Sequence, residues 1–211
     1  MSGEALEQLL GIDPLLFDLY EGTVVDGTDT RIIFLSSDIL RGIHAALSYE
    51  AGDAWRVVMK RCGLLWGQRT FRYLSRHSPT LLGVKFDTAP VDAFTAFLKM
   101  YMNGNGWGTA TVDLSDAVNH GLVHIRLQNS LYSEVLSEQR ERVEYLIAGM
   151  LAGLFSELAR TELDCVEIQS VLTGGDGSWF VISDKARLAP VEGMLANGAA
   201  VDELLASLRS H

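Results

Sequence analysis

The chain has 211 residues, 48% apolar and 21% charged, enough to bury one sizeable core and too apolar to stay disordered. Its 27 acids against 17 lysines and arginines give a formal net charge of −10, so a nucleic-acid polyanion would be repelled before specific contacts formed. No apolar run reaches the roughly 18 residues that span a bilayer, and no basic-then-apolar leader opens the chain. The expectation is therefore a soluble cytoplasmic protein with no transmembrane segment and no nucleic-acid partner.

Residues 4–20 carry Leu6, Leu9, Leu10, Leu15, Leu16 and Leu19 around Pro14 and predict two short helices. "RIIFLSS", after the turn-rich "VDGTDT", fits a strand or the entry to the next helix. Ser37 and Asp38 suit the cap of a helix running to about Glu50, and Gly52–Asp53 marks a stop and a restart. From Asp53 to about Arg76, Trp55, Val58, Met59, Cys62, Leu65, Trp66 and Tyr73 recur at three- and four-residue steps. They predict a long amphipathic helix ended by Pro79.

Pro90 opens the next helix, "VDAFTAFLKMYM", which "NGNGWG" stops. Thr109–Leu114 and Leu122–Asn129 read as an antiparallel pair, and a helix spans about Ser137 to Ala159. In that helix Ala148, Gly149, Ala152 and Gly153 would let another helix approach closely. Strands over Leu163–Leu172 and Ser178–Ile182 flank the glycine-rich "LTGGDGS", and short helices follow Pro190 and cover about Val201–Leu208.

The fold expected is α+β, a single domain over 1–211, with an antiparallel sheet of about four strands packed against long helices. A helical lead-in (about 1–48), a core (about 49–184) and a C-terminal helical extension (about 185–211) divide it.

Standard reaction chemistry is missing. "LTGGDGS" lacks the Lys-Ser/Thr of a P-loop, and Gly-x-Ser-x-Gly, His-Glu-x-x-His and Cys-x-x-Cys are absent. His120 and His124 are close in sequence but split between a turn and a strand, which does not suit one metal. Cys62 and Cys165 read as buried thiols in a reducing compartment, and the acids form no distinctive constellation. Between Asp53 and Ser78, six basic residues stand against Asp53 alone. Arg61, Arg69 and Arg72 are the candidate contacts there for an anion or an acidic partner, beside the simpler reading of a solvated face. The residues point to a binding protein and not to an enzyme.

In order, "GLLWGQR", "NGWGTATV", "HIRLQNSLYSE", "LIAGMLAGLFSEL" and "CVEIQSVLTGGDGSWFVI" cover roughly Tyr49 to Ile182 and resemble the 4-vinyl reductase domain family. That family is related by fold to vesicle-tethering TRAPP subunits and to sensor domains of aromatic-responsive transcription activators. The resemblance implies a homodimer that holds a hydrophobic small molecule between the long helices and the sheet. On this sequence the lining falls on Trp66, Phe97, Tyr101, Met102, Trp107, Leu127 and Tyr145, with an ordinary aromatic core as the competing reading. Family members in (bacterio)chlorophyll synthesis, and hence in photosynthesis, make a chlorophyll-type tetrapyrrole or its precursor an expected ligand, held by a carrier, sensor or assembly factor. Binding is what carries over. A vinyl reductase would need a partner's hydride, since no nicotinamide or flavin fingerprint is present. The other alternative is an interaction module with a filled core and a protein partner.

Many members also carry a zinc pattern, Glu-x-x-Cys with a second Cys eight residues on and a third before the long helix. Here those positions hold Glu167, Ser170, Ser178 and Leu136, so no zinc is expected. Local order would come instead from Val171, Trp179 and Phe180 and from serine hydrogen bonds across the hairpin.

Overall fold

The computed structural model describes residues 15–26, 30–82 and 85–210. In chain order, β1 (Leu16–Asp18), β2 (Thr23–Val25) and β3 (Arg31–Ile32) form an antiparallel meander. Helix α1 (Ser37–Ala51) leads through a 3-10 turn into α2 (Trp55–Leu82), followed by α3 (Val91–Gly104). Strand β4 (Thr109–Asp113), the short α4 (Ala117–His120), β5 (Val123–Gln128) and the short α5 (Leu131–Val135) come next. After α6 (Tyr145–Ala159), strands β6 (Leu163–Gln169) and β7 (Ser178–Asp184) complete a four-stranded antiparallel sheet of order β4-β5-β7-β6. The short α7 (Lys185–Leu188), α8 (Val191–Ala196) and α9 (Val201–Arg209) end the described chain.

Strand alternation divides the interior into two cores. Ala110, Ile125, Leu127, Cys165, Phe180 and Ile182 face the long helices, where they meet side chains such as Phe97, Met102, Met150 and Leu154. On the opposite face Leu122, Val166, Ile168 and Val181 pack under Leu188, Val191, Leu204, Leu205 and Leu208. The C-terminal extension thus covers the far side of the sheet. It is pinned at its end by Arg209, which donates to Asp116 Oδ2 at 2.7 and 2.9 Å, and Asp116 also holds the buried His124 ring at 3.0 Å.

The tightest contact joins α2 and α6. A Cβ built on Gly63 or Gly67 would run into the Leu146 or Met150 carbonyl, and one on Gly149 or Gly153 into the Lys60 or Leu64 carbonyl. Each helix supplies two glycines one turn apart, so the backbones touch directly. Gly149 and Gly153 were legible as an approach surface; their partners Gly63 and Gly67 were not.

Several expectations need correction. Residues 16–20 are strand and turn: Asp18 accepts from the Tyr20 and Glu21 amides, an Asx turn that competes with helix. The rest of the expected leading helices, residues 4–14, lies outside the described residues. The meander itself was not expected as a second sheet. Pro79 sits inside α2, which continues to Leu82; nearby Leu74 and Ser78 are buried, and Ser78 Oγ accepts from the Phe86 amide at 2.9 Å, so tertiary packing overrides the proline.

Helix α6 starts at Tyr145 and not at Ser137, because the charged run before it is drawn to separate partners. Glu141 pairs with Arg56, Arg142 with Glu192 at 3.2 Å, and Glu144 turns inward. Strand β6 ends at Gln169, with Ser170 capping a 3-10 turn. Cys165 is buried, but Cys62 is exposed, and so is Val171.

Candidate functional site

Helices α2 and α3 and the turn before β4 assemble an aromatic cluster. Trp66 Nε1 donates to the Tyr101 hydroxyl at 3.1 Å, leaving that hydroxyl free to donate to Thr70 Oγ1 at 3.4 Å. Trp66 packs at 5.1 Å from Trp107, Trp107 stacks on Tyr132 at 6.3 Å, and Phe97 stacks on Tyr101 at 5.7 Å. The Trp107 amide donates to the Met102 carbonyl at 3.0 Å, which seats the indole at the end of α3.

Tyr132 is only 1% exposed, yet its hydroxyl has no hydrogen-bond partner among the described residues. Burial, with the nearby Glu144 charge second, holds this phenol above its ordinary pKa, so it remains an O–H donor. A buried donor without an acceptor costs about 1–3 kcal/mol, a deficit that a ligand can relieve.

The structure therefore brings together Trp66, Phe97, Tyr101 and Trp107, with Met102 and Leu127 buried in the same core. Tyr145 lies apart. Its ring meets Trp55 edge-on at 5.2 Å and lines an open groove of about 530 Å³ with Asp53, Arg56 and Lys60. A larger open groove, about 810 Å³, follows the α2–α6 seam and ends at Leu163, Asp164 and Lys185. Of the ten positions expected from sequence, only Arg61 lines it; Lys60 within it pairs with Asp164 at 2.7 Å. Arg72 pairs with Glu157 at 2.7 Å, while Arg69 is exposed without an ion-pair partner among the described residues.

Three of the zinc-pattern positions, Glu167, Ser170 and Ser178, lie at a buried carboxyl pair formed by Glu167 and Glu144. Glu167 shares the helix-facing side of β6 with Cys165, and Glu144 reaches in from the start of α6. Ser133 and Ser178 donate to Glu144 Oε1 at 2.9 and 2.7 Å. Glu144 Oε2 and Glu167 Oε1 have no hydrogen-bond partner among the described residues, although Glu144 is 0% and Glu167 6% exposed. Desolvation pushes the Glu167 carboxyl up to about 8; the Glu144 charge adds to this, and the Ser170, Ser178 and Arg142 groups offset it only in part. Glu144 is raised too, mainly by burial. Both carboxyls are thus held toward their neutral forms.

As metal ligands the set is poor. Leu136 offers no donor, Ser178 already donates to a carboxylate, and Ser170 Oγ accepts from the Leu172 amide at 3.4 Å. Among the described residues no group of three or more His, Cys, Asp or Glu is placed to hold a metal. Glu144 escaped the sequence reading, since its serine partners lie in α5 and β7. Glu167 left one trace, an acid between Val166 and Ile168 in an otherwise apolar strand.

No protein-family model and no curated protein matches the chain. In structure it is similar to the phenol-responsive sensory domain of the transcription activator PoxR, solved with phenol, at a TM-score of 0.69 and 18% identity over 93% of this chain and 98% of that one. A vinyl-4-reductase family protein from Methanocaldococcus jannaschii matches at a TM-score of 0.47 and 18% identity, over 74% of this chain and 84% of its own. A trafficking protein particle complex subunit 3 from Naegleria fowleri, covalently bound to palmitic acid, matches at 0.46 and 18%, over 70% and 93%. These neighbours are of the three groups that the sequence resemblance named, and the mixed helix and antiparallel-sheet fold is shared with the PoxR domain.

Proposed function

We propose that this chain is a non-catalytic binding protein that holds a hydrophobic small molecule at the Trp66, Phe97, Tyr101, Met102, Trp107 and Leu127 cluster, serving as a carrier, sensor or assembly factor. The observation that carries the reading is the Tyr132 hydroxyl, a buried donor without a partner at the end of an aromatic stack. A flat apolar body with one acceptor group would fill the need. The phenol-responsive PoxR domain, similar over nearly the whole chain, supports a small aromatic ligand. The resemblance in sequence supports the larger alternative, a chlorophyll-type tetrapyrrole or precursor. Tyr145 contributes at most from the edge, next to Trp55. The protein works without zinc, its hairpin tied by Glu144 to Ser133 and Ser178.

The test begins with denaturing extraction and mass spectrometry of the purified protein, followed by tryptophan-fluorescence titration with phenol and with protoporphyrin IX. Saturable quenching by one of them, weakened roughly tenfold in Tyr132→Phe, is the expected result, a tenfold change being worth about 1.4 kcal/mol. No extractable ligand and no saturable quenching by either probe would sink the proposal.

A second reading, an interaction module, draws on a different observation. Leu16, Phe17, Leu19, Tyr20, Ile33 and Phe34 are all more than half exposed, which in a lone monomer marks a surface awaiting a partner. The two readings are compatible in a homodimer, the assembly we propose.

A further inference from the structure

The buried carboxyls of Glu144 and Glu167 take no part in the aromatic cluster. With Tyr145, Ala148 and Cys165 they line a cavity of about 10 Å³, room for one water-sized group. Ser133 and Ser178 occupy only Glu144 Oε1; Glu144 Oε2 and Glu167 Oε1 have no hydrogen-bond partner among the described residues. The two cations in the cavity wall are engaged elsewhere, Lys60 with Asp164 at 2.7 Å and Arg142 with Glu192 at 3.2 Å. Lys60, Arg142, Tyr145 and Glu192 also line the open groove of about 530 Å³, so the cavity adjoins that groove.

A guest suited to this place has the size of one heavy atom, donates at least two hydrogen bonds and carries positive charge, because two buried acids face it. A metal ion lacks the further ligands it needs: among the described residues no third ligating side chain is placed with the two acids, and burial pushes the Cys165 thiol up, away from the thiolate that binds metal. An alkylammonium head meets all three conditions, with three N–H donors on a compact charge. We propose that the cavity binds the ammonium group of a primary alkylamine, which donates to Glu144 Oε2 and Glu167 Oε1 while its chain lies along Tyr145 in the groove. Burial holds both acids toward their neutral forms, but an opposite charge within roughly 4–6 Å favours the ionised carboxylate, so the guest restores the anions it pairs with. Tyr145 gives the groove an aromatic wall for the alkyl chain.

The test is isothermal titration calorimetry of the full chain with n-butylamine at about pH 7.5, where an alkylamine is protonated. Parallel titrations use n-butanol, ammonium chloride and zinc chloride. Saturable binding of butylammonium is expected, roughly tenfold or more tighter than that of ammonium chloride, with no saturable heat from butanol. Glu167→Gln and Glu144→Gln, which keep the side-chain shape and remove the charge, should each weaken it at least tenfold. Circular dichroism checks both folds, and should Glu144→Gln fail to fold, Glu167→Gln alone decides. Absence of butylammonium binding, or binding that ignores the loss of either carboxyl, would overturn the site. Butanol bound as tightly as the amine would show an apolar groove without a charge site, and ammonium chloride bound as tightly would remove the alkyl chain from the assignment; either result overturns an alkylamine site. Zinc bound more tightly than the amine, and lost in Glu167→Gln, would make this a metal site and overturn the proposal as well.

Discussion

The α2–α6 seam and the N-terminal meander are opposite ways of holding chain together. At the seam four glycines let two backbones approach directly, so contact is close and intolerant of added atoms. In the meander, short strands pair with one another, β2 is only half-buried, and Leu16, Phe17, Leu19 and Tyr20 point into solvent. The difference teaches that backbone pairing alone does not anchor a segment: the seam is fixed by burial, of which the described meander has little.

Substitutions that add or remove contact test this contrast most directly. Gly149→Val should be the most damaging change, since its side chain meets the Lys60 carbonyl and the helices must separate. We expect a loss of about 3 kcal/mol or more in urea unfolding. Gly42→Ala, on α1 where nothing lies within 4 Å, should instead raise stability by roughly 0.5–1 kcal/mol. If both glycines tolerated substitution alike, the seam would not be a close backbone contact.

The carboxyl pair predicts the next effect, and its sign is unusual for acids. The folded Glu167 carboxyl is raised to about 8 from 4.5, so the folded state binds the proton more tightly than the unfolded chain. Its contribution is complete below about pH 4.5 and declines as pH rises through about 8. Glu167→Gln, which keeps the shape and removes the charge, should therefore raise the melting temperature at pH 9 by roughly 4–8 °C, equivalent to about 2 kcal/mol. It should have little effect near pH 5. A wild-type melting temperature flat between pH 6 and 9 would contradict a raised Glu167 carboxyl. Lys60, Arg142 and Glu192 line the same small space, so the profile includes their charges.

Smaller effects follow. Tyr101→Phe strands the Trp66 indole N–H and should cost about 1 kcal/mol in urea unfolding. Least of all, Phe17→Ser should change stability by less than about 0.5 kcal/mol when the chain is dilute enough to be monomeric, as its ring is already 57% exposed. A large loss there would place the meander in the body's own core.

Legibility in the sequence followed the range of each signal. The apolar faces of α2, α3 and α6 and the four strands of the main sheet could be read because periodicity is local, and a side chain's direction follows from its step along the helix or strand. The aromatic positions on α2 and α3 were legible for the same reason, and four of the expected aromatic residues do meet. The start of α6 was not legible: "SEQRERVE" has a helical composition, but Glu141, Arg142 and Glu144 are claimed by Arg56, Glu192 and the serines of α5 and β7.

By itself the sequence determined the fold class, the order of the main elements and the basic helix face, since composition and period belong to short stretches of chain. Only the tertiary structure decided that Gly63 and Gly67 face the α6 backbone and Gly149 and Gly153 the α2 backbone, that Glu144 is buried close enough for its charge to act on Glu167, and that the Tyr132 hydroxyl has no hydrogen-bond partner among the described residues. Each depends on atoms brought together from distant parts of the chain, and the cost of burying a charge or a donor is set by those neighbours and not by the residue that carries it.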